Sequence, residues 1–594
     1  EQFDALSTSQ LAALTSVALA SLETEDIATL TSTELSALST RALSGLSSAN
    51  FAVLTSSQLS GLTTAQIASL STTVIAGLTS GQIDGLSALQ VSGLTSRQIP
   101  VLTTDVIASF DTDQIAALKS SAVAALSSGQ VAALSTQQVE VLTTGQLAAL
   151  TSAGIKGLGS DDIDVLSADD VAAIATRSLA GLSVDVFASL GSEQLTSLAS
   201  GKIAALTTAQ IASLTSDQVN GLTPAQLSGL SSAQVNALNS GTLLSLSTLQ
   251  ISGLSTRVIA MLGSAKIAAL DSAQVAALST LQIAALSSAG VAGLGIDDLA
   301  TFSSTEFAAL NSRALQGLSA VQIASLLSAQ LSALSTGQIA SLKTAQVAAL
   351  DSNQIGALST GQIAALNSAQ VVALGSVNIT TLSTEQVAAL NSRAVGALTS
   401  AQLDAMTSDQ IEALTSAQIA ALSSSDVAAL SSGDLETFST IEFAALSSTA
   451  ITGISTAVIG NLSTTLIAAM NTRAVAALSS AQIAAMTSAQ IAVLSSAQIA
   501  ALSSTSVAAL GADDLSTFES VDIAALQPRS LAGLTTSAFA ALTSSQLIAL
   551  TSAQIAALSA AIVGSLSTSQ LDSFTTDQIA IMSSGQIAAL SNDA

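Results

Sequence analysis

The sequence predicts an all-α fold, a solenoid superhelix of very short helices with one helix in each group of eight residues. Three observations predict it: two apolar columns with a period of eight, a helix-capping pattern in the same phase, and an apolar stripe that drifts too fast for one long helix. The positions of an octad are numbered one to eight, as from Thr415 at position one to Leu422 at position eight.

The two apolar columns run through the whole chain. Position eight, from Leu6 to Leu590, is always Leu, Ile, Met or Phe, and position five, from Phe3 to Ile587, is likewise unbroken. An insertion of one residue would break this phase, so residues 1–594 are predicted to form a single uninterrupted octapeptide-repeat array. Neither end shows a polar capping repeat, so we expect an excerpt or a processed form of a longer protein, without end caps.

The polar positions carry helix-start signals. Position one is Ser or Thr in 52 of 74 octads, and position four is usually Gln, which together form a capping box. The preceding leucine and the position-five residue complete a hydrophobic staple. Pro224 and Pro528 stand at position two, the first helical site, where a missing N–H is tolerated. Pro100 stands at position six, where it predicts a local distortion.

A single long helix is excluded because eight residues turn the apolar stripe by about 80° per octad, which leaves no fixed face to bury. The helices must therefore be short, six or seven residues, and break at each cap. One such helix is not stable alone, so successive turns must stack, with small residues at positions six and seven allowing close approach. The alternative is a β-solenoid, which alternation by two and the abundance of Ala do not favour.

All arginines share one register. They occupy position three, and their spacings of 56 and 80 residues are near-whole numbers of turns if one turn takes about 3.4 octads. The arginines would then lie along one side of a rod. Duplication of a 216-residue segment is an alternative explanation of the same spacing. The eight residues are Arg41, Arg97, Arg177, Arg257, Arg313, Arg393, Arg473 and Arg529.

Acidic pairs stand two octads before several of these arginines. One interpretation is electrostatic, because carboxylates in the first helical turn complement the helix dipole. The other is that the acids and the arginines make contacts between turns or between molecules. Calcium binding is a third, weakly indicated option, since no calcium-loop pattern accompanies the pairs; no other cofactor is predicted. The candidate acids are Asp161, Asp162, Asp297, Asp298, Asp513 and Asp514, and Glu25-Asp26 precedes Arg41 in the same way.

The composition excludes most catalytic chemistry. The chain has no Cys and no His, and none of its many Ser and Thr residues has a recognisable base beside it in a motif. We therefore expect neither an enzyme nor a small-molecule substrate. A net charge of −26 and the scarcity of aromatic residues disfavour nucleic acid, and no apolar run is long enough for a membrane span.

Segments such as Leu222-Thr223-Pro224-Ala225-Gln226-Leu227 and Leu414 to Leu422 resemble the Leu-Thr-x-x-Gln-Ile/Val-x-Ala-Leu octapeptide arrays of very large secreted or surface proteins of Gram-negative bacteria. The resemblance spans the whole chain. It implies export, an extracellular or cell-surface location, and a structural or adhesive role. The calcium-binding nonapeptides common in such exported proteins are missing here.

These observations lead to a functional hypothesis. We expect a non-enzymatic extracellular structural protein, a rod-like building element of a filament, sheath, surface layer or stalk, which associates with itself into a homopolymer or lateral array. The alternative is an adhesin spacer or a surface-binding repeat module that recognises glycan or ice through rows of hydroxyl groups.

Overall fold

The computed structural model describes residues 5–590 and shows an all-α solenoid of very short helices, as the octad pattern predicts. No β-strand occurs in this described range, so the β-solenoid alternative is wrong. The chain divides into two compact units, Glu1–Thr301 and Phe302–Ala594. The octad phase of the sequence continues past Thr301, and one array of 594 residues stays a prediction.

The helices follow the octads closely. Each α-helix begins at position two, from Thr8–Ala12 to Ser584–Ala589, except Gly375–Ile379, which begins at position one with a glycine at φ 72°. Position six is the most common end of a helix. Three octads hold 3₁₀-helices instead, Ile99–Val101, Gly154–Gly157 and Ala450–Gly453.

The helices that end at position five are Thr40–Leu43, Ser56–Leu59, Thr72–Ile75, Ser80–Ile83, Ala88–Val91, Ser120–Val123, Thr176–Leu179, Ser264–Ile267, Ser312–Leu315, Thr344–Val347, Gly375–Ile379, Ser392–Val395, Ser416–Ile419, Thr456–Ile459, Ser496–Ile499, Pro528–Leu531, Ala560–Val563 and Thr568–Leu571. Those that end at position seven are Ser32–Ala37, Thr64–Ser69, Thr112–Ala117, Thr144–Ala149, Ala168–Ala173, Ser216–Gly221, Ser232–Ala237, Thr248–Gly253, Thr256–Met261, Thr280–Ala285, Ile296–Thr301, Ser304–Ala309, Ser368–Ala373, Thr384–Ala389, Ser400–Ala405, Thr464–Ala469, Thr472–Ala477, Ser480–Ala485, Ser520–Ala525, Ser552–Ala557 and Ser584–Ala589.

Capping explains both ends of a typical helix. Thr63 is extended, with φ −76° and ψ 159°, and its Oγ1 accepts a 3.3 Å hydrogen bond from the Gln66 N–H. The Gln66 Oε1 in turn accepts from the Thr63 N–H at 2.7 Å. Leu70, at position eight, is extended again and ends the helix. Because two residues of each octad are extended, the helices are four to six residues long, shorter than the predicted six or seven.

The three prolines behave as predicted. Pro224 and Pro528 are the first residues of their helices. Pro100 lies in the 3₁₀-helix Ile99–Val101, which confirms the expected distortion, since its ring nitrogen cannot donate within an α-helix. The sequence did not predict the two 3₁₀-helices that contain no proline.

Within each unit, a helix packs against the helix three octads further along. Hydrogen bonds between turns join residues 25 to 31 apart: Ser232 to Arg257 and Gln66 to Leu35 are examples in the first unit. Ser368 to Arg393 and Gln482 to Ile451 are examples in the second. This register brackets the predicted turn of about 3.4 octads, or about 27 residues.

The core of each unit consists of positions five and eight. Phe51 and Phe187 in the first unit, and Phe307 and Phe443 in the second, are almost fully buried. Small residues allow the turns to approach. A Cβ added to Gly453 would lie 2.0 Å from the carbonyl oxygen of Ser424, so only glycine fits there.

Candidate functional site

The most regular polar feature of the structure is the buried glutamine at position four. Gln66 is 3% exposed. Its Oε1 caps its own helix, and its Nε2 donates to the carbonyl oxygens of Leu38 at 2.7 Å and Leu35 at 3.0 Å, in the preceding turn. The same contacts recur in both units, for example from Gln482 to Ile454 and Ile451. The repeated glutamine side chains are termed the glutamine ladder.

The sequence predicted that the glutamine oxygen caps its own helix. It did not predict that the amide nitrogen donates to the preceding turn. The preference for Gln over Glu at position four could have indicated the second contact. Glu caps a helix as well as Gln does, but only the amide also carries two N–H donors. The strong preference for Gln at position four therefore indicated a second partner that accepts hydrogen bonds.

Several other polar residues at position four make one half of these contacts. Lys202 Nζ donates to the carbonyl oxygens of Ala172 and, at 2.6 Å, Ile174. Ser178 Oγ donates to Leu150 at 2.6 Å. Glu34 performs the opposite half, since its carboxylate accepts from the Thr31 N–H at 2.7 Å but has no N–H to offer the preceding turn.

Burial shifts the pKa of two charged residues that stand at position four in place of Gln, Asp162 and Lys202. Removal of Asp162 from water raises the pKa of its carboxyl, opposed by the hydrogen bond from the Gly159 N–H and reinforced by the neighbouring charge of Asp161. Burial likewise lowers the pKa of the Lys202 ammonium group. Both directions reflect the cost of a charge in a position suited to a neutral amide.

The predicted acidic pairs lie in the first turns of their helices, where the helix-dipole interpretation places them. Asp161, Asp297 and Asp513 are exposed at position three. Their position-four neighbours face the protein: Asp162 accepts from Gly159, whereas Asp298 and Asp514 also accept, each at 2.8 Å, from hydroxyl groups 26 residues earlier. Those hydroxyls belong to Ser272 and Ser488.

The eight predicted arginines are all exposed. Across residues 5–590, no ion pair joins any of them to a carboxylate. The structure therefore does not bring the candidate acids and arginines together within either unit. Their contact with a neighbouring molecule stays a prediction.

The buried polar groups of the described residues are paired within the fold. Every buried side-chain nitrogen and oxygen there has a hydrogen-bond partner. The residues that the structure describes contain no group of three or more acidic side chains arranged to hold a metal ion. Between residues 5 and 590, no helix has the length and apolar character needed to cross a membrane.

The fold and the glutamine ladder define an α-solenoid repeat protein. The ALTTAQ repeat matches this chain in fourteen stretches that together span more than half of it, and most begin at position five of an octad. The chain therefore belongs to the ALTTAQ repeat family. A comparison with curated proteins finds no match. The matched residues are 19–56, 107–144, 139–176, 187–224, 198–232, 251–288, 267–304, 324–360, 355–392, 387–424, 466–496, 515–552, 523–560 and 561–592.

Proposed function

We propose that this protein is a non-enzymatic, extracellular structural protein, a rod-like building element of a filament, sheath, surface layer or stalk that associates with itself. The observation that carries the proposal is the glutamine ladder. It ties many turns to the preceding one through buried hydrogen bonds that recur in nearly identical form in both units. Such a repeat suits a load-carrying rod, because each octad makes the same contacts with its neighbours as the next octad does.

The polar groups support the same proposal. Position-one hydroxyls accept from backbone N–H groups, as Thr63 does, and buried position-four amides such as that of Gln66 are occupied on both sides. Their hydrogen-bonding capacity is used for the fold itself. A chain with 9% charged residues and without Cys or His suits a building element better than a site for chemistry.

The extracellular location rests on the resemblance of the octads to repeat arrays of exported bacterial proteins. The cysteine-free, lysine-poor composition agrees with it. The alternative role as a glycan- or ice-binding module draws no support from the position-one hydroxyls, since these are committed to helix caps.

Electron microscopy of the purified chain over a range of protein concentrations tests the proposal. We expect filaments or ordered lateral arrays that grow with concentration, and light scattering should report the same growth. Particles that remain monomeric under all native conditions would contradict the self-associating role.

A further inference from the structure

We propose that each unit has an arginine side and, opposite to it, an acidic side, and that copies of the chain associate laterally with the arginine side of one copy on the acidic side of the next. This inference rests on the proposed self-association and names the surfaces that produce it.

The arginine side rests on a turn of about 27 residues, a value within the range of the inter-turn hydrogen bonds. Inter-turn hydrogen bonds join residues 25 to 31 apart, and the arginine spacings of 56 and 80 residues fit two and three turns of about 27 residues. With this turn, the four arginines of each unit fall within an arc of about 45° around its axis. They are Arg41, Arg97, Arg177 and Arg257 in the first unit, and Arg313, Arg393, Arg473 and Arg529 in the second.

The acidic side is an independent observation, because the turn of about 27 residues rests on hydrogen bonds and arginine spacings and not on the positions of the carboxylates. Placed on the same turn, the described acids at position three fall within about 150° on the opposite side of their unit, and none comes within about 60° of the arginine arc. They are Glu25, Asp105, Asp113, Asp161, Asp169, Asp185, Glu193, Asp217 and Asp297 in the first unit, and Glu385, Asp409, Asp513 and Asp577 in the second.

This separation accounts for the absence of ion pairs between arginines and carboxylates within residues 5–590. Position three points away from the core, so both sets of charges face solvent. Two charges on opposite sides of a solenoid cannot reach each other. An ion pair between an arginine and a carboxylate of these two sets therefore requires a second molecule.

A second copy of this chain is the partner that the charges fit. An acid stands 16 residues before each of Arg41, Arg177, Arg313 and Arg529, namely Glu25, Asp161, Asp297 and Asp513. The acidic row therefore repeats with the same spacings as these arginines. Within a unit, parallel copies that are shifted by this offset would bring arginines such as Arg41 and Arg177 opposite carboxylates, and such complementarity determines register.

The two sides differ, so the contact is heterologous. A copy that uses its arginine side still offers its acidic side to another copy, and growth continues into a row. A closed two-fold dimer would require both charges on one face.

Two variants test this arrangement. In the arginine variant, all eight arginines are changed to Gln; in the acidic variant, Glu25→Gln is combined with Asp161→Asn, Asp297→Asn and Asp513→Asn. The matched controls keep the charge: Arg→Lys at the eight sites, and Glu25→Asp with Asp→Glu at the other three. All these positions are exposed, and circular dichroism verifies that each variant is folded.

Analytical ultracentrifugation is expected to show growing rows for the wild type and both controls, and self-association at least tenfold weaker for each neutralised variant. An equimolar mixture of the two variants should form dimers that do not grow, since one intact side of each remains.

If the arginine variant assembles like the wild type, or the mixture grows beyond dimers, this inference is overturned while the structural role stands. A wild type that never assembles overturns the proposed function and this inference together. Arginine-dependent binding to phosphatidylserine vesicles by a monomeric wild type would assign the arginine side to an anionic surface instead, against this inference.

Discussion

At the scale of single residues, the amide of position four determines how this chain is held together. Gln66 accepts from Thr63 in its own helix and donates to Leu38 in the preceding turn. A neutral side chain with both an acceptor and donors is required, because the site is buried and offers an N–H on one side and carbonyl oxygens on the other. A charged or shorter side chain pairs either with the N–H or with the carbonyl oxygens, but not with both.

The change Gln66→Glu tests this division. The carboxylate keeps the cap at Thr63 but cannot donate to the carbonyl oxygens of Leu35 and Leu38, so we expect a local loss of about 1–3 kcal/mol. Amide hydrogen exchange of the neighbouring octads measures it. The control is Gln10→Glu, since Gln10 is exposed and bonds only to Ser7, and it should change local stability little. Equal effects at both sites would contradict the inter-turn role.

The change Asp162→Gln should stabilise the protein at neutral pH. Burial raises the pKa of Asp162 above its ordinary value of 3.8, so the folded state holds the proton more tightly than the unfolded state. The contribution of this carboxyl to stability is then fully present below 3.8 and is lost as pH rises through the raised pKa. A glutamine at this position cannot ionise, so stability is no longer lost as pH rises, and its amide provides an N–H donor for the preceding turn.

Hydrogen exchange of the octads around residue 162, in wild type and variant, checks this prediction at pH 7 and at about pH 3. The gain in protection should be larger at pH 7. A gain that is equal at both values, or larger in acid, would show that ionisation of Asp162 is not the cause.

At the scale of the element, a helix of four to six residues has no stability of its own, because nucleation costs more than one turn returns. Caps define where each helix begins, and packing against the helix three octads away supplies the stability. The closeness of that packing therefore decides which residues are tolerated at position seven.

The change Gly453→Ala is expected to destabilise its turn by about 1–3 kcal/mol, because the new methyl would lie 2.0 Å from the backbone oxygen of Ser424 and the turns would have to separate. The control is Gly433→Ala. A Cβ there would lie 3.6 Å from the Ser431 Oγ, so the higher helix propensity of Ala should stabilise by about 0.5–1 kcal/mol. Urea denaturation followed by circular dichroism should show opposite shifts, and the same shift in both would exclude a specific close approach.

At the scale of the whole molecule, the chain consists of similar octads, each of which contacts octads about one turn away. Contacts join residues about one turn apart, so stability is a sum of local terms, and a local defect should remain local. This differs from a globular domain, in which one core mutation lowers protection everywhere.

Locality can be measured with the Gln66→Glu variant. Peptides within about one turn of residue 66 should exchange faster, whereas peptides around Gln482 in the second unit should be unchanged. Hydrogen exchange with mass spectrometry resolves the two regions. A uniform loss of protection along the chain would show that it unfolds as one cooperative body.

Much of this structure was predictable from the sequence because its determinants are local. The period of eight, the capping box and the proline positions each act within about eight residues, so they predicted the helix starts and the distortion at Pro100. The predicted helix length was too great because the pattern marks where a helix begins more clearly than where it ends.

Local sequence patterns alone predict that the chain forms capped helices in constant phase and that two apolar columns form the core. The tertiary structure decided which carbonyl oxygens each Gln66-like amide reaches, which glycines abut a backbone, as Gly453 does, and that the arginines have no carboxylate partner in the described residues. The physical reason is distance along the chain. Caps join residues three apart, whereas these contacts join residues 25 to 31 apart, and only the winding of the solenoid decides which of those meet.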